Sequence, residues 1–459
     1  MRYLSTRGGV PPLAFGDAVL MGLGSDGGLL LPETYPTVSP DTLRQWAKLP
    51  FQALALQVMA PFTDLPAPVL SELIRRSYAG FSHPEITPLR AVGRQMILEL
   101  FHGPTLAFKD VALQFLGNLF EYLLEQRGGQ LNILGATSGD TGSAAIHGVR
   151  GKARINIFIL FPAGRVSPVQ ERQMTTVLDP NVHTMALRGD FDHAQAIVKE
   201  LFNDLAFKEE HHLGAVNSIN WARILAQVVY YFYAWGQASG GDPDHAVTFS
   251  VPTGNFGDIF AAWVARRMGL PVRKLILATN HNAILTRFVQ TGEYRAGEVK
   301  PSLSPSMDIM VSSNFERYLY HLLGDDPASV RHLMERFTRT GALSVTPQQH
   351  HLVQSCFAAR AVSEEETLEQ IRRIHHDHGY VLDPHTAVGV AAAQGHDLPI
   401  CLATAHPAKF GSAVAQAIGR EIPLPAAMAD LMSRPSRRVE LDARADTVKA
   451  HMLATLAAV

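Results

Sequence analysis

The chain has 459 residues, of which 47% are hydrophobic and 18% charged, with a formal net charge of −2. That length exceeds a single small core and calls for two or three lobes of a soluble, loop-rich α/β protein. The near-zero charge, without a Lys/Arg stripe interleaved with aromatics, argues against a nucleic-acid groove, and the lack of an apolar run of about eighteen residues or more argues against a membrane span.

In chain order, "MRYLSTRGGVPPLAFGDAVL" lacks the continuous apolar core of a secretion signal. Residues 1–90 read as a separate opening unit. "DGGLLLPETYP" (26–36) is punctuated by Gly and Pro, and helical spacing runs through 40–60 and 68–79. From about residue 91 the pattern changes. Short β-rich runs stand at "QMILEL" (95–100), "LNILGA" (131–136), "INIFILFP" (155–162) and "VHTMAL" (182–187). "AVTFSVP" (246–252), "KLILAT" (274–279) and "PICLAT" (399–404) continue the series. Helix-length stretches separate most of them. In the first, Phe108, Ala112, Phe115, Leu119 and Tyr122 keep one apolar face before Gly128-Gly129. Buried strands alternating with helices predict mainly parallel sheets, whose ligands sit at the carboxyl ends of strands. The two cysteines, Cys356 and Cys401, lie in different segments without CxxC spacing. A reducing compartment, and so a cytoplasmic protein, is expected.

Four strand ends carry unusual loops. After 95–100 comes His102-Gly103-Pro104-Thr105 and then Lys109; after 131–136 comes "TSGDTGSAA" (137–145). After 246–252 comes "TGNFGD" (253–258), and after 399–404 "AHPAKFGSA" (405–413). "PTGNFGD" is the best phosphate site on physical grounds: glycines let N–H groups converge on an anion, and the following helix points its positive pole there. It is neither GxxxxGK[ST] nor GxGxxG, which disfavours a P-loop NTPase and a dinucleotide site. The competing reading is a tight turn that happens to be glycine-rich. "ATSGDTGSAA" is a second anion cradle, with hydroxyls from Ser138, Thr141 and Ser143. Its helix start suits a carboxylate as well as a phosphate, while Asp140 also reads as a plain N-cap.

Lys109 taken alone is an ordinary lysine at a helix start. Its apolar flanks, Leu106-Ala107-Phe108 and Val111-Ala112, predict partial burial. Desolvation and a helix N-terminus both lower a lysine pKa and free the amine as nucleophile or base. A buried lysine, a phosphate cradle and a carboxylate cradle on strand ends suit pyridoxal 5'-phosphate. That cofactor brings an aldehyde for the lysine, a phosphate and a ring nitrogen. Thr404, ending its strand, offers a hydroxyl to that nitrogen.

With these residues assembled, the chain closely resembles the threonine synthase family, in the fold-type II (tryptophan-synthase-β-like) group of pyridoxal-phosphate enzymes. The likeness runs nearly end to end, through "MRYLSTRGG", "SDGGLLLPE", "FHGPTLAFKD", "GATSGDTGSAA", "NSINWARILAQ", "PTGNFGD" and "ATAHPAKF". The resemblance implies an α/β fold of two open, twisted, mainly parallel sheet domains flanked by helices, after a mostly helical N-terminal unit (1–90). The large cofactor domain would comprise 91–110 and 216–459, and the smaller mobile domain 111–215, closing on substrate.

The resemblance further implies that Lys109 holds the cofactor as a Schiff base and acts as the catalytic base. Gly254, Asn255, Phe256 and Gly257 would bind its phosphate with Asp258 beside them, and Thr404 would face the pyridine nitrogen. Since a carboxylate cannot donate to a phosphate, Asp258 is expected to act through backbone or water. The loop with Ser138, Asp140 and Thr141 would receive the substrate α-carboxylate. Asp140 stands where some relatives in the wider group carry Asn for the cofactor's ring hydroxyl, which an aspartate meets only if protonated or turned away. The implied substrate is O-phospho-L-homoserine, taken with water to L-threonine and phosphate by γ-elimination and β-replacement, in a monomer or homodimer. For the leaving phosphate, Arg165 and Ser167 in "PAGRVSPVQ" and Lys409 near Thr404 are candidates, each with a solvated surface charge as its alternative. "NSINWAR" (217–223) is expected to line the same cleft. No metal site is expected: "HHDHG" (375–379) with His385 reads as a polar helix end, a strand and the next N-cap. Rival readings are a serine/threonine dehydratase, a lyase acting on another γ-phosphorylated amino acid, and a catalytically silent regulatory homologue. The opening unit with "DGGLLLPE" speaks against the dehydratase, and Lys109 with "TGNFGD" against the silent homologue.

Overall fold

The computed structural model describes residues 1–137 and 139–457. They form two compact units, Met1–Ala112 with Ser218–Ile422, and Leu113–Asn217 with Pro423–Val459.

The first unit is built on a six-stranded sheet in the order Phe357–Ala361, Val272–Thr279, Val247–Pro252, Ile400–Ala403, Gln95–Glu99, Leu89–Val92. Every neighbouring pair is parallel except the last. Leu89–Val92 turns back on Gln95–Glu99 through residues 93–94, with Gly93 at φ 60°. Val247–Pro252 and Ile400–Ala403 are buried throughout, which is why they read as unbroken apolar runs rather than alternating ones. The helix Pro384–Ala392 lies against the middle of this sheet. Ala387, Val388 and Ala391 share a core with Ile97, Ile276 and Cys401.

The opening residues fold into this unit. Tyr3–Ser5 pairs antiparallel with Leu30–Pro32, and the buried Arg317 guanidinium donates to the Leu30 carbonyl at 3.0 and 2.7 Å. Residues 1–90 are thus one face of a larger body, although their sequence reads as separate.

The second unit carries five parallel strands in the order Val439–Asp442, Val182–Arg188, Ile155–Pro162, Leu131–Ala136, Leu213–Gly214. Here the sequence division differs from the structure. Residues 423–459, expected with 216–422, supply this sheet's edge strand and the helix Ala445–Ala457. Val448 and Met452 of that helix enter the same core as Leu134, Phe158 and Met185. The seven β-rich runs between residues 95 and 404 are all strands. Within the two large sheets, the strands not read (Leu89–Val92, Leu213–Gly214, Phe357–Ala361, Val439–Asp442) are short or partly exposed edge strands. After the helix Glu364–His378, residues 380–382 run as coil to the Asp383 cap, where a strand was expected. No helix among the described residues is long and apolar enough to cross a membrane.

Candidate active site

Lys109 opens the helix Lys109–Arg127 and is 9% exposed. Its ammonium lies 4.9 Å from the Phe108 ring centroid, a cation–π distance. The turn before it is fixed by several bonds. Phe108 donates its N–H to the Thr404 carbonyl at 2.8 Å, and His406 donates to the Leu106 carbonyl at 3.0 Å. The buried Asp110 carboxyl accepts the Thr105 N–H at 2.7 Å and the Thr105 hydroxyl at 2.8 Å. Burial pushes Asp110 up to about 6, with the Thr105 donors pulling the other way. Lys409, a sequence candidate for the substrate phosphate, is buried and donates its ammonium to the Thr105 carbonyl at 2.7 Å.

The loop 253–258 leaves the buried strand Val247–Pro252 and enters the helix Gly257–Arg267. Phe256, at φ 63°, sits in the left-handed region, a strained choice for a bulky residue. Its buried ring packs at 5.4 Å from Phe315 and 5.9 Å from Tyr318 and Phe357, which offsets that strain. At Gly254 a Cβ would stand 2.7 Å from the Ser306 carbonyl oxygen, so only glycine fits. Residues 312–314 brace the loop from outside: the Ser312 hydroxyl donates to the Gly254 carbonyl. The Ser313 hydroxyl meets Asn255 Oδ1 at 3.1 Å, and the Asn314 N–H meets the Asn255 carbonyl at 3.0 Å. The N–H groups of the following helix's first turn have no acceptors inside their own helix and face the loop.

Asp258 faces the helix Trp221–Ser239. The Tyr230 and Tyr231 hydroxyls both donate to its Oδ1, the latter at 2.7 Å. Burial pushes Asp258 up to about 6, while the tyrosine hydroxyls and the Lys109 ammonium pull it down. Both tyrosines are driven far above their ordinary value by burial and the Asp258 charge.

On the same helix, Arg223 is buried, and its Nε and Nη1 have no partner among the described residues. Burial drags it down to about 10. The next residue, Ile224, packs 3.5 Å from the Cβ position of Gly257. The sequence marked the segment 217–223 as cleft lining but assigned Arg223 no role. Its only sequence signal is an arginine in an otherwise apolar helix start.

In the second unit, Asp140 begins the helix Asp140–Val149 after Gly139 at φ 138°. Thr137 Oγ1 accepts the Gly139 and Gly142 N–H groups at 3.0 and 2.9 Å. Gln170 Nε2 donates to Asp140 Oδ1 at 2.8 Å, so the carboxylate is turned toward the helix Pro168–Thr175. Ser167 caps that helix by accepting the Gln170 N–H at 3.3 Å. Thr141 is half-buried and Arg165 exposed. Ser138 lies outside the described residues.

Pyridoxal phosphate suits the residues of the first unit. A loop that excludes a Cβ, at the head of a helix, is built for an anion, and the buried Lys109 amine follows a strand two places along the same sheet. Thr404, whose carbonyl holds the residue before that amine, ends a central strand beside both. The arrangement can bind a phosphorylated aldehyde and move a proton beside it.

Comparison with known proteins agrees. Residues 2–78 match the family model described as threonine synthase N terminus, 96–401 the model of pyridoxal-phosphate dependent enzymes, and 386–452 the threonine synthase C-terminal model. A threonine synthase of Pseudomonas aeruginosa is 50% identical over 446 residues, 95% of each chain. One of Schizosaccharomyces pombe is 47% identical over 453 residues, 90% of this chain and 88% of its own. Among solved structures, the pyridoxal-phosphate-bound threonine synthase of Brucella melitensis superposes with a TM-score of 0.96 at 47% identity, over 99% of both chains.

Proposed function

The chain belongs to the threonine synthase family of pyridoxal-phosphate-dependent enzymes, and on that premise we propose that its substrate is O-phospho-L-homoserine. Water and this substrate give L-threonine and inorganic phosphate, the last step of threonine biosynthesis. When bound, the cofactor supplies an electron sink for charge developing at the substrate Cα.

The chain's own residues do the rest. Lys109 Nζ would hold the cofactor through its aldehyde and, once freed by substrate, would be the base for the Cα proton. The N–H groups of Gly254 to Asp258 hold the cofactor phosphate, with the Asp258 side chain engaged by its two tyrosines. Thr404 would offer a hydroxyl, not a carboxylate, to the ring nitrogen, a partner that would leave that nitrogen largely unprotonated and favour elimination and replacement over transamination. Asp140 and Thr141, with Ser138, receive the substrate α-carboxylate at the start of their helix. Arg165 and Ser167 are retained as a secondary anion contact.

The observation that carries the phosphorylated substrate is Arg223. A buried guanidinium whose Nε and Nη1 have no acceptor among the described residues is costly unless an anion completes it, by several kcal/mol for an uncompensated ion (on the order of 3–5). A serine or threonine dehydratase has no second phosphate to offer such a group. The two free thiols, Cys356 and Cys401, are buried, which supports a reducing, cytoplasmic setting.

The test is direct. The holoenzyme given O-phospho-L-homoserine should release phosphate and form threonine in equal amounts. Turnover of serine or threonine to a 2-oxo acid, with no phosphate released from the phosphorylated substrate, overturns the reading. R223K should lower kcat/KM by about 100-fold, since a point charge does not replace a planar fork, while cofactor affinity holds. Loss of cofactor affinity instead would assign Arg223 to the cofactor's own phosphate.

A further inference from the structure

Asp383 caps the helix Pro384–Ala392 and is buried together with His385 and Thr386. Its two oxygens take four donors. Oδ1 accepts the His385 N–H and ring Nδ1, both at 2.9 Å. Oδ2 accepts the Thr386 N–H at 3.3 Å and, at short range, the Thr386 hydroxyl. The histidine tautomer follows from its other nitrogen. Nε2 accepts the Ser306 N–H at 3.2 Å, so the ring proton sits on Nδ1. The Thr386 hydroxyl, its proton directed at Asp383, accepts the Thr404 N–H at 3.3 Å.

Two arms therefore leave one carboxylate. One runs through Thr386 to Thr404, whose carbonyl holds the Phe108 N–H at 2.8 Å, immediately before Lys109. The other runs through His385 to Ser306, whose carbonyl oxygen closes the space over Gly254. We propose that Asp383 is a positioning residue for the cofactor: through His385 and Thr386 its carboxylate sets the placement of the Lys109 turn, Thr404 and the glycine loop relative to one another. This rests on the assignment of those three elements to pyridoxal phosphate.

A helix cap alone would not need this residue type, because Asn caps as well as Asp. The network does need it. All four groups facing Asp383 are donors, so an amide NH2 on either side would meet a pair of N–H or O–H groups rather than an acceptor. D383N therefore probes the network: its amide oxygen still caps the helix through one backbone N–H, and the arm on the side its NH2 faces is broken.

The experiment titrates full-length apo-protein with pyridoxal phosphate and follows the lysine-bound band near about 410 nm. D383N is expected to raise the cofactor dissociation constant about tenfold or more, T386V roughly threefold to tenfold, and T386S less than about twofold, the scale of one or two buried hydrogen bonds. Hydrogen exchange at the Phe108 and Ser306 amides should speed up by about tenfold in D383N. K109A serves as the control and should give no band. A band in K109A overturns the cofactor assignment itself. No band in K109A, with D383N and T386V binding as wild type, overturns the positioning role alone. Should D383N fail to fold, the T386V and T386S pair decides by the same criterion.

Discussion

Two glycine-bearing turns, 253–258 in the first unit and 137–142 in the second, lead from a parallel strand into a helix, yet they are held by different means. The first is set by the core. Phe256 is forced into a left-handed conformation by the rings around it, and residues 306–314 fill the space behind Gly254 and Asn255. The second is pinned by polar contacts, Thr137 Oγ1 on two backbone N–H groups and Gln170 on Asp140. The pins of the second turn are buried too, but each is a single directional bond worth about 0.5–1.5 kcal/mol net, whereas packed rings resist displacement together. A turn of the first kind suits a resident cofactor, and one of the second kind a ligand that enters and leaves each turnover.

Substitutions should separate the two turns. The largest effect is expected at Lys109, which is bound to the first turn's side of the chemistry. K109A should lose activity by about 1,000-fold or more, with no borohydride-sensitive absorbance, and its thermal melt should stay near wild type. Retained turnover would break the comparison at its root. Next, G254A places a methyl 2.7 Å from the Ser306 oxygen. Overpacking of that kind costs about 1–3 kcal/mol and should weaken cofactor binding roughly tenfold to a hundredfold in an absorbance titration.

The polar turn should answer differently. Q170A removes one pin from Asp140, worth about 0.5–1.5 kcal/mol. It should raise KM for the amino-acid substrate by roughly twofold to tenfold, leaving the cofactor dissociation constant alone. If Q170A and G254A both moved the cofactor constant equally, the distinction between the turns would be lost.

The smallest effect concerns pH. The folded-state value of Asp258 is about 6 against an ordinary 3.8, so the folded apo-protein binds this proton more tightly than the unfolded chain. The group's contribution to stability is then full below about pH 4 and disappears as pH rises through about 6, amounting to roughly 2–3 kcal/mol. D258N cannot titrate. The melting temperature of wild type relative to D258N should fall between about pH 4 and pH 6.5, and a constant gap would show that the carboxyl is not buried as described.

Much of the first turn was legible in the sequence. Lys109, the run 254–258 and Thr404 each stand at the end of an apolar run, where parallel sheets present ligands, and glycine spacing is a local signal. The seven strands were readable for the same reason. What the sequence left open at Asp258 and Asp140 was where each carboxylate points. That depended on Tyr230, Tyr231 and Gln170, which are about 30 residues away in the chain.

By itself, then, the sequence determined the elements and the chemistry available at their ends, because apolar periodicity, glycine and capping residues act over a few neighbours. Only the tertiary structure decided which charges lose water and which partners replace it. It buried Arg223 with no acceptor among the described residues for Nε and Nη1, turned Lys409 onto a backbone carbonyl, joined the strand Val439–Asp442 to the second sheet and made Asp383 a junction. Desolvation and hydrogen bonding between distant residues have no local trace, since each depends on what the folded chain brings alongside.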